Sequence, residues 1–264
     1  METNRPLALV TGASSGIGYE LAKQFLSNGF DVVITAEDAE LTSAAQRLEG
    51  LGGSVHPEEI DLAQRDGVDR LYAAVATLDR PLDAAVLNAG VGVGGPFLEN
   101  SLDDELRLID LNVVSTVALA KRIASDMVAR GEGRILFTSS VVSRMPAPFQ
   151  AVYGASKAFV QSFGQALRNE LKDTGVTVTT LLPGPTDTEF FERAGLEETK
   201  VGAGEKDDPA LVAEQGFKGM MSGDGNVLGG SLKSRGMGLS GNVTPDAAGA
   251  EMNRKMNEPG SAKD

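Results

Sequence analysis

The chain has 264 residues, 41% of them hydrophobic, and a formal net charge of −13. Such a length and apolar share suit a soluble globular protein with a full core, as one large α/β domain or two small ones. The negative excess repels nucleic-acid backbones and anionic membranes, the lack of cysteine excludes disulfide and thiolate chemistry, and the single histidine, His56, makes no zinc site. No metal, nucleic-acid or membrane partner is expected. The apolar run at the N-terminus is too short for a secretory signal, and no run of apolar residues is long enough to span a bilayer. The expected location is cytoplasmic.

Taken in order, residues 7–11 form a short apolar run ended by glycine, the mark of a buried strand. A helix is predicted over 17–28, with Ile17, Leu21 and Phe25 on one face and Gly29 closing it. The β-branched run 31–36 predicts a strand buried on both faces, and 40–51 a helix stopped by Gly52 and Gly53. A third strand is placed near Val55, a helix over 64–78 and a fourth strand over 83–88. One long helix is predicted over 102–130, ending at Gly131, followed by a strand over 134–139, a helix over 150–173 and a sixth strand over 176–182. Alternating strands and helices imply one parallel sheet covered on both faces, with right-handed crossovers. Beyond Pro183 the pattern weakens. Residues 185–222 read as a mobile lid that includes a helix over 211–221, and 226–230 as a last strand. This makes 1–230 the main domain and 231–264 a partly disordered tail with a short helix over 248–256.

Two stretches carry chemistry. TGASSGIG, residues 11–18, is a glycine-rich turn between the first strand and first helix, where backbone N–H groups and the helix dipole favour a pyrophosphate. Its spacing, Gly12, Gly16 and Gly18, is not that of the commoner G-x-G-x-x-G fingerprint, and it has no Walker lysine. The second stretch is SVVSRMPAPFQAVYGASK, residues 140–157, in which Tyr153 and Lys157 share one helical face. An adjacent ammonium favours the phenolate and would bring the tyrosine toward neutral-pH proton transfer. The alternative is an ordinary surface pair. Ser140 ends a predicted strand from which its hydroxyl would face the tyrosine.

TGASSGIG, the NAG of Asn88, Ala89 and Gly90, Asn112 in LNV, Ser140 in TSS, YGASK and the PG of Pro183 and Gly184 occur in the order and spacing of the short-chain dehydrogenase/reductase family, which this chain resembles from about residue 7 to 190. The resemblance implies a single-domain Rossmann-type, doubly wound parallel sheet, a nicotinamide cofactor, and hydride transfer between it and an alcohol or carbonyl carbon. Tyr153 would be the general acid or base. Lys157 would lower its pKa and bind the nicotinamide ribose. Ser140 would hold the substrate oxygen, and Asn112 a water linking Lys157 to solvent. Cofactor contacts are implied for Gly12, Ser14, Ser15, Gly16, Ile17, Gly18, Glu37, Asp61, Leu62, Asn88, Ala89, Gly90, Tyr153, Lys157, Pro183, Gly184 and Thr188. Asn88 to Gly90 would serve the adenosine side and sheet packing. Asp61 would meet the adenine amino group or simply cap a helix.

For NAD against NADP, the end of the second strand reads Ala36, Glu37, Asp38, with no nearby cation to pair a 2′-phosphate. This leans toward NAD. The substrate is expected against 91–97, 141–149 and 188–196, where Phe97, Met145, Phe149, Phe190 and Phe191 accompany Arg144 and Arg193. These suit a medium-sized small-molecule carbonyl or alcohol, acidic members included, or else pack the lid on the body. A catalytically silent, cofactor-binding regulatory or scaffold protein is the other reading of the fold. By resemblance the protein is a homodimer or homotetramer joined through 102–130 and 150–173.

Overall fold

The computed structural model describes residues 5–241 and 244–263. Its centre is a seven-stranded parallel sheet in the order β3-β2-β1-β4-β5-β6-β7. The strands are β1 (Leu7–Thr11), β2 (Asp31–Ala36), β3 (Val55–Glu59), β4 (Ala84–Leu87), β5 (Gly133–Thr138), β6 (Val176–Pro183) and β7 (Asn226–Gly229). Strand order reverses between β1 and β4, and the cleft outside their carboxyl ends is where such sheets bind ligands.

Side-chain alternation explains the two helical layers. Leu7 and Leu9 point to one face with Leu71, Ile123, Met127 and Val160, whereas Ala8 and Val10 point to the other with Leu21, Phe25, Val212 and Phe217. The first layer holds α3 (Gly67–Ala76), α5 (Thr116–Arg130) and α6 (Ala151–Glu170). The second holds α1 (Gly16–Ser27), α2 (Glu40–Leu48) and α9 (Pro209–Ser222), joined where the Phe25 and Phe217 rings meet edge to face at 5.0 Å. This is the doubly wound, single-sheet architecture expected from the alternating pattern.

Three differences from the sequence reading bear on function. The helix over 102–130 is not uniform: α4 (Leu102–Ile109) passes into α5 through a wider π turn, Asp110–Ser115, which rotates Asn112 inward. Helix α3 begins at Gly67 rather than at residue 64 because Asp61 organises a turn, accepting from Ala63 N at 2.8 Å and Gln64 Nε2 at 3.0 Å. Finally, α9 is part of the core, with Val212 and Met220 fully buried. The overhang above the cleft is therefore confined to about 185–208, which carries the short helices α7 (Phe190–Arg193) and α8 (Lys200–Ala203).

The stretch 231–264, expected to be partly disordered apart from a short helix over 248–256, has two α-helices and a 3₁₀ turn (Ser261–Lys263) among its described residues, α10 (Leu232–Ser240) and α11 (Asp246–Asn257), the second covering the expected helix. Helix α11 and the turn after it are held by contacts to distant loops that no local pattern reveals. Asn253 donates to Pro146 O at 2.8 Å, Asn257 donates to Pro148 O at 3.2 Å, and Lys200 N donates to Ser261 Oγ at 3.0 Å. Residues 242, 243 and 264 of that stretch lie outside the described residues. Among the described residues no helix is long and apolar enough to cross a membrane.

Candidate active site

The glycine turn follows β1 directly. Gly12 and Gly16 have φ of +65° and +57°, a left-handed conformation that glycine adopts without strain. Gly18 is needed for a different reason. A Cβ there would lie 2.0 Å from Gly12 O and 2.6 Å from Asn88 Nδ2. Asn88 is the brace of the turn, its amide donating to Thr11 O at 3.1 Å and Gly12 O at 3.2 Å. Thr11 Oγ1 in turn accepts from the backbone N–H of Asn88 at 2.9 Å and of Ala89 at 3.0 Å. The N-cap of α1, Ser15, makes no side-chain bond to the first-turn N–H groups, which leaves them aimed at the cleft for an anion. The hydroxyls of Ser14 and Ser15 instead donate to Asp38 at 3.0 Å and Glu189 at 3.3 Å.

Tyr153, Lys157 and Ser140 meet at the far end. Tyr153 and Lys157 are buried, so the exposed surface pair is not what the fold makes of them. The Tyr153 ring packs on Phe190 at 5.0 Å between centroids, and Lys157 Nζ lies 5.8 Å from the Tyr153 ring centroid. Lys157 Nζ donates to Thr138 O at 3.0 Å, and the Lys157 carbonyl accepts from Ser139 Oγ at 2.8 Å. Ser140 is the N-cap of a single 3₁₀ turn, Val141–Arg144, and is hydrogen-bonded to the Tyr153 hydroxyl.

The expected lowering of the tyrosine pKa is not what the site shows. Burial pushes Tyr153 up to about 12, with the Ser140 hydrogen bond pulling the other way. Burial also lowers Lys157 to about 8. Among the described residues no carboxylate is paired with Lys157. The phenol is thus a protonated acid at neutral pH, and the buried Lys157 side chain has one carbonyl, Thr138 O, as its hydrogen-bond partner among the described residues.

A stability signature follows. Lys157 has a lowered folded-state pKa, so its penalty is fully present below about pH 8 and is relieved as pH rises toward the ordinary 10.5. Between pH 7.5 and 10 the wild type should gain about 2 kcal/mol on the Lys157→Met variant in urea denaturation. A constant difference between the two proteins over that range would refute this placement of the charge. Tyr153 acts with opposite sign and higher up, its contribution being lost only between about pH 10 and 12.

Asn112 sits behind the site. Its side chain brackets Val91, accepting from Val91 N at 3.0 Å and donating to Val91 O at 2.9 Å, and it also donates to Ser156 Oγ at 3.0 Å. Gly90 explains how Asn112 and Lys157 come together: a Cβ there would lie 3.1 Å from both Asn112 Oδ1 and Lys157 Nζ.

Both ends open into one cavity of about 660 Å³, within the range of small-molecule and cofactor sites. All the residues for which the resemblance implied cofactor contacts line it, as does Ser140, whereas Asn112 does not. Thr188 closes over the turn, its methyl 2.9 Å from where a Gly16 Cβ would stand. A glycine-lined turn with free helix N–H groups, joined to the tyrosine by a continuous cleft, fits a nicotinamide dinucleotide.

The substrate end departs from expectation. Met145, Phe190, Phe191 and Arg193 line the cavity, but Arg144 and Phe149 do not, and Phe97 is exposed. The sequence reading missed the wall made by the C-terminal helices, where Met237, Met252 and Met256 line the cavity with Asn253 and Asn257. The spacing of Met252 and Met256 on one helical face was the available signal.

Cations do lie near the end of β2, contrary to expectation. Arg107 bridges Glu37 and Asp61, lying 3.0 Å from Asp61 Oδ2, and Arg193 lies 3.7 Å from Asp38. Nothing local could reveal this, because Arg107 and Glu37 are 70 residues apart in the chain.

The family model for short chain dehydrogenases matches residues 6–199. The chain is 32% identical over 211 residues to the NADP-dependent 3-hydroxy acid dehydrogenase YdfG of Salmonella typhi, covering 79% of this chain and 84% of that protein. A solved short-chain dehydrogenase from Sphingobium yanoikuyae in complex with NADPH superposes with a TM-score of 0.79 at 31% identity, covering 89% of this chain and 92% of that one. Another from Burkholderia phymatum, in complex with NAD, has a TM-score of 0.78 over 86% and 89% of the chains, and at 23% identity supports the fold alone. The chain spans 60% of the length of two further curated dehydrogenases that it matches.

Proposed function

This chain belongs to the short-chain dehydrogenase/reductase family, and from that premise we propose that it reduces carbonyl compounds to alcohols with NADH, Tyr153 giving the proton. The observation that carries this reading is the single cavity joining the glycine turn to Tyr153, Ser140 and Lys157. Bound in the cleft, the nicotinamide supplies a hydride. The turn and the first-turn N–H groups of α1 would hold its pyrophosphate, with Pro183, Gly184 and Thr188 covering the nicotinamide end. Ser140 and Tyr153 hydrogen-bond the carbonyl oxygen, and the Tyr153 hydroxyl transfers its proton as negative charge develops there. Lys157 stabilises the phenolate left behind, which in an apolar site is worth far more than in water. A protonated Tyr153 at neutral pH favours reduction over oxidation, since the reverse direction needs the phenolate.

The NADH preference rests on Glu37, which would accept the adenosine ribose hydroxyls and repel a 2′-phosphate. The methionine and phenylalanine wall suits medium-sized, largely apolar ketones or aldehydes, methionine being adaptable in shape. Homo-oligomerisation in the cytoplasm is part of the reading. It is supported by exposed apolar residues along α4, the π turn and α6, among them Leu102, Leu106, Val114 and Phe159.

A panel of ketones and aldehydes assayed with NADH and NADPH tests the proposal. Carbonyl-dependent oxidation that is faster with NADH is expected. Tight NADH binding without turnover on any carbonyl would favour the catalytically silent reading, and faster turnover with NADPH would overturn the cofactor assignment.

A further inference from the structure

At the adenosine end of the cleft three carboxylates converge, Glu37 and Asp38 after β2 and Asp61 after β3, and all three line the cavity. Left to themselves, such anions repel one another and turn toward water. Two cations from elsewhere in the chain prevent this. Arg193 serves Asp38, which also accepts from Ser14 Oγ at 3.0 Å. Arg107 serves the other two from behind, on α4 and outside the cavity lining, with Nη1 donating to Asp61 Oδ2 at 3.0 Å and Nη2 donating to Glu37 Oε2.

The two acids are not equivalent. Asp61 is anchored independently of Arg107, since Oδ1 accepts from Ala63 N at 2.8 Å and Oδ2 from Gln64 Nε2 at 3.0 Å. Burial alone would raise its pKa, but the hydrogen bonds from Arg107, Gln64 and Ala63 hold it below the ordinary carboxylate value. Asp61 is therefore a fixed, ionised post. Among the side-chain bonds of the described residues, Glu37 has only Arg107 to hold it, and it is 39% exposed. A guanidinium fork joins a fixed carboxylate to a free one in a way that a lysine ammonium cannot, because its donors are coplanar and set apart.

We propose that Arg107 is a positioning residue for nucleotide selection: braced on Asp61, it fixes the Glu37 carboxylate at the end of β2 to receive the adenosine ribose hydroxyls. With its fork occupied by two carboxylates, Arg107 does not recruit a 2′-phosphate. This rests on the reading of the cleft as a nicotinamide dinucleotide site. Because the ion pairs are partly exposed, their effect is expected in binding selectivity rather than in stability.

The test is a double-mutant cycle read by direct binding of NADH and NADPH, followed by nicotinamide fluorescence, to the wild type, Arg107→Gln, Glu37→Gln and the double variant. Expected is about a tenfold weakening of NADH in Arg107→Gln that shrinks to less than about twofold when Glu37 is already glutamine. Arg107→Lys should recover only part of the loss. The proposal is overturned if Arg107→Gln weakens NADPH more than NADH and does so equally in the Glu37→Gln background, which would make Arg107 a direct phosphate ligand. A lowered melting temperature with unchanged selectivity would assign the arginine a structural role and overturn it as well. A wild type that binds neither nucleotide is a separate result, which removes the reading of the cleft and this proposal with it.

Discussion

Replacing Tyr153 by phenylalanine should lower carbonyl reduction by about 10²- to 10⁴-fold, the usual contribution of a positioned general acid. The substitution keeps the ring that packs on Phe190 at 5.0 Å and removes only the hydroxyl that bonds Ser140. Nucleotide affinity should therefore stay within about twofold, and kcat and kcat/KM should fall together, because the lost interaction forms in the transition state. Steady-state kinetics with NADH, alongside fluorescence titration of the same protein, separates the two effects. Activity retained in this variant would show that the proton comes from elsewhere. The raised pKa of about 12 adds a sign: on the acid side of that value the reduction rate should not fall through loss of the phenolic proton, whereas alcohol oxidation should rise with pH.

The second large effect is expected from Gly18→Ala. A methyl 2.0 Å from Gly12 O and 2.6 Å from Asn88 Nδ2 has no flexible neighbour to displace, since the first is backbone and the second braces the turn. Overpacking of this kind costs about 1 to 3 kcal/mol, and the turn must open to relieve it. NADH binding should weaken by at least about tenfold, 1.4 kcal/mol being the equivalent of one decade. Gly236→Ala is the control. It lies in α10 with nothing within 4 Å of the added Cβ, and should bind NADH as the wild type does. Equal binding by the wild type and Gly18→Ala would remove the glycine turn from the phosphate site.

Much of this arrangement was legible in the residues. The β-branched runs at 31–36 and 176–182 and the glycine-ended helices place their elements to within a few positions, because a doubly covered parallel sheet needs continuous apolar strands. The placing of Tyr153, Lys157, Ser140 and the glycine turn along one cavity was likewise anticipated, because their motifs are short and local in the chain. The π turn at Asn112 was not, since its sequence reads as ordinary helix and the extra residue is accommodated by packing against Val91 and Ser156. Helix α10 escaped for a related reason, whereas α11 (Asp246–Asn257) covers the short helix expected over 248–256. The polar composition of this stretch predicts little burial, and its last α-helix, α11, is held by carbonyls of Pro146 and Pro148 more than a hundred residues away.

By itself the sequence determined the fold class, which depends on periodicity, and the family resemblance, which depends on short motifs in order, and through that resemblance it named Tyr153, Lys157 and Ser140 as candidates for proton handling. Only the tertiary structure decided the protonation state of that site. A tyrosine beside a lysine reads as a lowered pKa, but burial of both groups penalises each charged form, raising the phenol to about 12 and lowering the amine to about 8. It also decided the electrostatics of the cleft at the end of β2, because Coulomb interaction depends on distance in space, and the fold carries Arg107 across 70 residues of chain to Glu37.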